Sequence, residues 1–257
     1  MHEDYRVHHD VSFQTADALV HARVGSGVPA IDRLLEGGYE CGLVHLFYGH
    51  ASFCEDLLRA AVWAQVPEAR DGFAGPVIII DSSNMIDTLK LADYASEYEL
   101  NAEDVMDNIF ISRAFNSSQT YDLLVNHLDE YMERIAAKML IVPGLPDLFT
   151  SEGFDAERSQ QIAHASARLM AKTFEYGLVT LVSTGNHQFP KGIPPVGRAL
   201  ASNAQVHILV ERTPMRTLYT LTKHPSLPDR TEHRTRFSDH YAVTLPLDYF
   251  FDDGLSA

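Results

Sequence analysis

Two short stretches constrain the fold of this chain more than any other feature: Val-Ile-Ile-Ile at Val77–Ile80 and Met-Leu-Ile-Val at Met139–Val142. Continuous apolar runs of this kind are what a parallel sheet requires, because its strands are buried on both faces. Five further strand candidates are Leu43–Tyr48, Asn108–Ala114, Leu178–Thr184, Val206–Arg212 and Thr217–Thr222, with the two apolar runs extending to Pro76–Ser82 and Lys138–Pro143. Helical patterns fill most of the gaps, at Phe53–Gln65, Met85–Tyr98, Ser118–Ala137 and Ala156–Tyr176. Alternation of strand and helix predicts an α/β domain with a largely parallel central sheet flanked by helices. The last strands follow one another without long helices, so the sheet is expected to be mixed at its C-terminal edge.

Residues 1–23 read as an amino-terminal extension and linker, and residues 24–257 as one core domain with a short acidic tail at Asp248–Asp253. A chain of 257 residues is long enough to bury a full core without staples. Its two cysteines, Cys41 and Cys54, exclude a disulfide framework or a cysteine-rich zinc site. The start, MHEDYRVHHD, lacks the apolar centre of a signal peptide, and no apolar run approaches a membrane span. The expected location is cytoplasmic. The net charge of -15 argues against a protein that holds nucleic acid mainly through phosphate contacts, which need a local excess of Lys and Arg.

In an α/β domain, ligands sit beyond the carboxyl ends of the strands, often on a glycine loop that opens a helix. The first strand runs into Gly49-His50-Ala51-Ser52-Phe53-Cys54-Glu55-Asp56. That is the place of a phosphate loop, G-x-x-x-x-G-K-[ST]. Only Gly49 fits the pattern. Cys54 stands for the second glycine, Glu55 for the lysine and Asp56 for the hydroxyl residue. One pair of unit charges at 4 Å and an effective dielectric of 20 is worth ~4 kcal/mol. A Lys-to-Glu exchange swings two charges, and even strongly screened it exceeds the ~1.4 kcal/mol of a tenfold affinity loss. Tight triphosphate binding in the usual pose is therefore not expected. The same carboxylates in a first helical turn favour the helix dipole. Cys54 reads as a buried or half-buried thiol. A nucleophile is the alternative, and the neighbouring carboxylates oppose it.

Further motifs lie in one order along the chain. They are Gly25–Gly38 (GSGVPAIDRLLEGG), Val77–Asn84 (VIIIDSSN), Asp107–Asn116 (DNIFISRAFN), and Pro225-Ser226-Leu227-Pro228. Together they resemble the core of RecA-type recombinases, specifically archaeal RadA and its eukaryotic counterparts, over about Ser12 to Phe237. The resemblance implies a RecA-like ATPase core. The departures from it fall on the chemistry. Ser83 stands where the family has the glutamate that positions the attacking water, and Pro143 stands where the strand Leu140-Ile141-Val142 should end in a magnesium-side aspartate. Lys223 replaces the aspartate of the nucleotide cap. Arg113 matches the arginine that packs on adenine. The family's DNA loops correspond to Ser151–Arg158, here acidic, and Ser183–Pro195, here short, which leaves Lys191 and Arg198 as candidates for weak DNA contact.

Ser12–Ala16 (SFQTA) resembles the family's G-F-x-x-A linker, whose Phe and Ala dock on the next subunit. The resemblance makes Phe13 the anchor of a hook and Ala16 its small second knob. An extended segment of this type adds to an open sheet edge and fills side-chain pockets. The receiving pocket would be lined by Ile78–Ile80, Ser112, Leu123 and His127. His127 stands where a small residue is expected, so the pocket should accept a phenylalanine poorly.

These readings converge on a non-catalytic RadA-like paralogue that binds a RadA-type recombinase through Phe13 and Ala16 and modulates its filament. Direct contact with single-stranded DNA should be weak or indirect, no membrane is involved, and the chain should be a monomer or small oligomer. No cofactor is expected. The histidines, including His8-His9-Asp10 and His50, form no metal-ligand spacing. One rival is an atypical ATP-binding protein or DNA-dependent ATPase using Asp56 or Asp81 as metal ligands and Arg113 on adenine, with Trp63 as a fluorescence reporter. The other is a self-assembling structural protein.

Overall fold

The computed structural model describes residues 22–49, 54–153, 155–185, 193 and 197–235. The apolar runs form the middle of an eight-stranded sheet. Its strands are β3 (Val44–Gly49), β4 (Val77–Asp81), β5 (Ile109–Arg113), β6 (Met139–Val142), β7 (Val179–Gly185), β8 (Val206–Arg212), β9 (Arg216–Lys223) and β10 (Arg230–Thr235), in the spatial order β10-β9-β8-β3-β7-β6-β4-β5. The six strands from β8 to β5 are parallel, and β9 and β10 add antiparallel. The sheet is thus largely parallel and mixed at one border, as expected. A small pair, β1 (Arg23–Val24) and β2 (Tyr39–Glu40), lies apart from it. Arg23 also bonds Glu40 at 2.6 Å. Arg23, assigned to the linker by the expected boundary, is thus part of the β1–β2 pair.

Nine α-helices among the described residues cover the two faces. The α1 helix (Pro29–Leu34), α2 (Cys54–Trp63), α3 (Thr88–Glu97) and α4 (Ala102–Asp107) share a core with the odd-numbered residues of β4 and β6, such as Val77, Ile79, Met139 and Ile141. On the other face, Ile78, Ile80, Leu140 and Val142 meet α5 (Ser117–Asp122), α6 (Leu128–Ile135), α8 (Ala156–Glu175) and α9 (Arg198–Asn203). The short α7 (Asp147–Ser151) places Phe149 in a small satellite cluster with Ile162. Period-two alternation with both halves apolar is the physical content of the Val-Ile-Ile-Ile run.

Local signals set the helix starts. Asp87 accepts from the Leu89 amide at 3.0 Å, which delays α3 until Thr88, three residues beyond the expected start at Met85. Asn101, Asn116 and Asp155 cap α4, α5 and α8 in the same way. The expected helix over Ser118–Ala137 is interrupted by a π-helical stretch at Leu123–His127 and stops at Ala136, which adopts a left-handed φ of 49°. At Gly38 the chain passes so close to Val24 that a Cβ would lie 2.0 Å from the Val24 carbonyl oxygen. With φ at +106° the position has two independent reasons to be glycine.

Candidate functional site

Two regions carry the residues singled out by the sequence. The first lies beyond the carboxyl ends of the parallel strands. Gly49 ends β3 with φ at 113° and α2 begins at Cys54. The Cys54 thiol donates to the Met85 carbonyl at 3.1 Å, and burial pushes it up to about 11. It is a capped, poorly ionising thiol and not an activated nucleophile.

Asp56 is fully buried. Both of its carboxylate oxygens accept from the Tyr219 hydroxyl, at 3.1 and 3.0 Å, and the Arg234 guanidinium lies 3.2 Å away. Burial raises its carboxyl to about 6, and Arg234 and Tyr219 oppose that rise. Glu55 faces Arg59 at 3.7 Å and Arg234 at 3.8 Å. Arg59 and Arg234 thus offset Glu55 and Asp56 in the first turn of α2, and the Arg234 part of that compensation is visible only in the folded chain.

Asp81, at the end of β4, is equally occupied. It accepts from the amides of Ser83, Met85 and Ile86, and Arg113 lies 3.4 Å from it. Arg113 also donates to the Ile86 carbonyl at 3.4 Å. It organises the loop after β4 and is not left free to lie on a base. Pro143 offers only its carbonyl, which accepts from the Ser82 hydroxyl at 2.8 Å. The Ser83 hydroxyl is buried without a partner. Close by, Asp147 is pushed up to about 7 by burial alone. Lys223 is turned to the end of α9, donating to the Ala204 carbonyl at 2.7 Å. The oxygens that a magnesium–triphosphate group would need at Asp56 and Asp81 are taken by the protein itself, so the described residues do not fit that group. No set of three or more His, Cys, Asp or Glu among the described residues converges on a metal position.

Trp63 is at the far end of α2 from the loop, about 15 Å along the axis at 1.5 Å per residue. There it packs edge-on against Tyr98. It is not placed to report on ligands at the loop. In Ser151–Arg158, Glu152 accepts from the Ser117 amide and hydroxyl, and Asp155 caps α8 and pairs with Arg158 at 2.7 Å. This acidity is used for local structure. Arg198 is exposed in the first turn of α9. Lys191 lies outside the described residues, as do Phe13 and Ala16.

The second region is the border of the sheet at β5, the last strand in the order among the described residues. The Val77 amide donates to Asn108 and the Ala114 amide to Asp81, so the even positions of β5 turn their peptide groups to β4. By alternation, Ile109, Ile111 and Arg113 turn theirs outward. Phe110 is 42% exposed, and Phe115 beyond the strand is 74% exposed. A cavity of about 290 Å³ lies here between Ile78, Phe110, Ser112, Tyr131 and Ile135. A second of about 260 Å³ adjoins it, sharing Ser112 and Tyr131 and reaching Arg113, Asp122, Leu123 and His127. The sequence thus brought Ser112, Leu123 and His127 to one place. His127, expected to crowd the pocket, turns Nε2 to Asp122 at 3.2 Å and stacks beside Tyr131, and the cavity stays open. Phe110, Tyr131 and Ile135 were missed. Their signal, apolar residues on a strand and on a helix next to a sheet border, cannot be told from core packing in one sequence.

The eight-stranded, mostly parallel sheet flanked by helices fits a RecA-like α/β core. The chain belongs to the Rad51 family, whose profile matches residues 17–210. It is 28% identical over 188 residues to the DNA repair protein RAD51 of Mycosarcoma maydis, covering 67% of this chain and 54% of that protein. It is also 28% identical over 167 residues to the human meiotic recombination protein DMC1/LIM15 homolog, covering 62% and 49% respectively. The DNA repair protein rhp51 of Schizosaccharomyces pombe is 26% identical over 169 residues, covering 62% of this chain and 45% of that protein. The chain spans about half the length of the curated relatives it matches. Among the described residues, no helix is long and apolar enough to cross a membrane.

Proposed function

We propose that this chain is a non-catalytic RadA-type paralogue, a pseudo-ATPase that binds a recombinase through Phe13 and Ala16 and modulates filament assembly in homologous recombination and DNA repair. The observation that carries the reading is Asp56. In the position of a metal-binding hydroxyl it is a buried carboxylate held by Tyr219 and Arg234, a strand-to-helix clasp where a nucleotide site needs free donors. The names of the matched relatives, a DNA repair protein and a meiotic recombination protein, support the pathway. Capture of an archaeal RadA-type recombinase by the purified chain, with and without ATP, tests this. Phe13→Ala should lower capture at least tenfold, and the chain alone should release no phosphate from magnesium–ATP. Undiminished capture by the variant, or turnover by the chain alone, overturns the proposal.

An ATP-binding reading has one observation in its favour: Arg59 and Arg234 offset the charges of Glu55 and Asp56. Equilibrium dialysis with magnesium–ATP separates the two, since saturable micromolar binding supports the rival.

A further inference from the structure

Buried polar atoms in a folded protein are paired almost without exception, so those left unpaired mark where a water, an ion or a ligand belongs. Three such oxygens lie on three neighbouring strand ends, since β7, β6 and β4 follow one another in the sheet. Beyond β4, Ser83 Oγ is buried without a hydrogen-bond partner, and near the end of β7 so is Thr184 Oγ1. Between them, β6 runs through Gly144 into α7, which opens on Asp147. Gly144 has a left-handed φ of 62°, and a Cβ there would lie 2.7 Å from Asp147 Oδ2 and 3.0 Å from Ser83 Oγ. The carboxylate and the hydroxyl thus face one point without bonding each other. Val142 pairs with Val182, which brings Thr184, two residues on, level with Gly144.

The backbone around this point is already satisfied. The Pro143 carbonyl accepts from Ser82 at 2.8 Å, and the Gly144 amide donates to the Ser183 hydroxyl at 2.9 Å. What remains is side-chain oxygen. Thr184 is fully buried, whereas Ser83 and Asp147 are only partly so, which gives the crevice a floor and a mouth. No charged group acts on Asp147, and burial alone pushes its carboxyl up to about 7.

A carboxylate held out of water without a cation is costly, and a bound cation offsets that cost. The crevice supplies one negative charge and two hydroxyls. No set of three or more His, Cys, Asp or Glu is present among the described residues to hold a divalent metal. A guanidinium brings five donors in a rigid fork and would leave some of them unpaired. A primary ammonium brings three donors, no acceptor and a compact charge, which matches three oxygens.

We propose that the crevice beyond β4, β6 and β7 is a binding site for a primary ammonium group, with Asp147 as its counter-charge and Ser83 and Thr184 accepting its remaining N–H donors. The ammonium belongs to a lysine side chain of another protein or to a small alkylamine. The site stands apart from Phe13 and Ala16 and does not depend on recombinase binding.

Amide and carboxyl NMR of the full chain, titrated with methylammonium chloride at constant ionic strength, provides the test. The Gly144 amide should shift saturably, and the Asp147 carboxyl should stay ionised to lower pH as the site fills. Affinity should fall about tenfold from pH 8 to pH 6, because binding needs the carboxylate. Tetramethylammonium, with the same charge and no N–H, should bind at least tenfold more weakly. Methylammonium should lose at least as much on an Asp147→Asn chain. Ser83→Ala, which keeps the carboxylate, should weaken binding less and leave its pH dependence in place. An arm with Nα-acetyl-lysine amide distinguishes the sources: tighter binding than methylammonium assigns a protein side chain, and equal or weaker binding a free amine. The proposal is overturned if no amine gives a saturable shift, if binding survives Asp147→Asn, or if affinity rises toward pH 6. Equal responses to potassium or magnesium chloride overturn it as well.

Discussion

Tyr219 donates its hydroxyl to both carboxylate oxygens of Asp56, joining the antiparallel border of the sheet to the first turn of α2. Tyr219 is fully buried, and burial holds its phenol well above the usual range. Above about pH 6 the pair is therefore in the form in which tyrosine donates and an ionised aspartate accepts. Tyr219→Phe should lower stability by about 1–3 kcal/mol, because it strips a donor from a buried carboxylate. Arg234→Met should cost more, about 3 kcal/mol, by leaving that charge without its cation. Urea midpoints with unchanged m-values check both.

Stability should change with pH in a direction set by Asp147. Burial pushes its folded carboxyl up to about 7, from about 3.8 for a free aspartate. The folded state then holds more protons than the unfolded one between those values. Stability falls as pH rises through that window and is level above it. Asp56, raised to about 6, acts in the same sense. Asp147→Asn should raise stability by on the order of 2 kcal/mol at pH 8, and the gain should vanish near pH 4. A gain that persists at pH 4 would point to packing instead.

His45 works from the other side. It is fully buried next to Tyr39, its Nε2 accepts from the Glu40 amide at 3.3 Å, and burial lowers it to about 3. The unfolded state binds the proton first, so this contribution is complete above about pH 6.5 and is lost as pH falls toward 3. His45→Gln retains an acceptor for the Glu40 amide and should flatten that acid limb in thermal melts run from pH 7 to 4.

Gly38→Ala should destabilise the chain by about 3 kcal/mol or more, since the Val24 carbonyl leaves no room and the left-handed backbone adds strain. Loss of the β1–β2 pair should appear as fast amide exchange at Cys41, whose amide bonds the Ala22 carbonyl at 2.8 Å. Gly42→Ala, with open space around its Cβ, is the milder control.

Which parts of this fold can be read from one sequence follows from how local each cause is. Val77–Ile80 and Met139–Val142 announce themselves, because a strand covered on both faces needs apolar residues at every position. β10 does not. Arg230-Thr231-Glu232-His233-Arg234-Thr235 has no apolar pattern, and what makes it a strand is the row of peptide groups that β9 offers. The short α1 was missed for a related reason: Pro29–Leu34 is held by Ile31 and Leu34 in the core and not by length or propensity. At the site, Glu55 and Asp56 could be recognised as departures from the G-x-x-x-x-G-K-[ST] pattern. That Arg59 would meet Glu55 follows from their i,i+4 spacing, but the approach of Arg234 could not be read, since it comes from a distant hairpin. His127 could be placed at the pocket from the sequence, but its pairing with Asp122 and its stacking on Tyr131 could not, since they follow from the π-helical stretch at Leu123–His127.

Among the described residues, the two borders of the sheet differ in kind: β10 ties Arg230, Glu232 and Arg234 to the body, and β5 turns the peptide groups of Ile109, Ile111 and Arg113 outward. That difference gives the sheet a polarity across its width, independent of the direction of its strands.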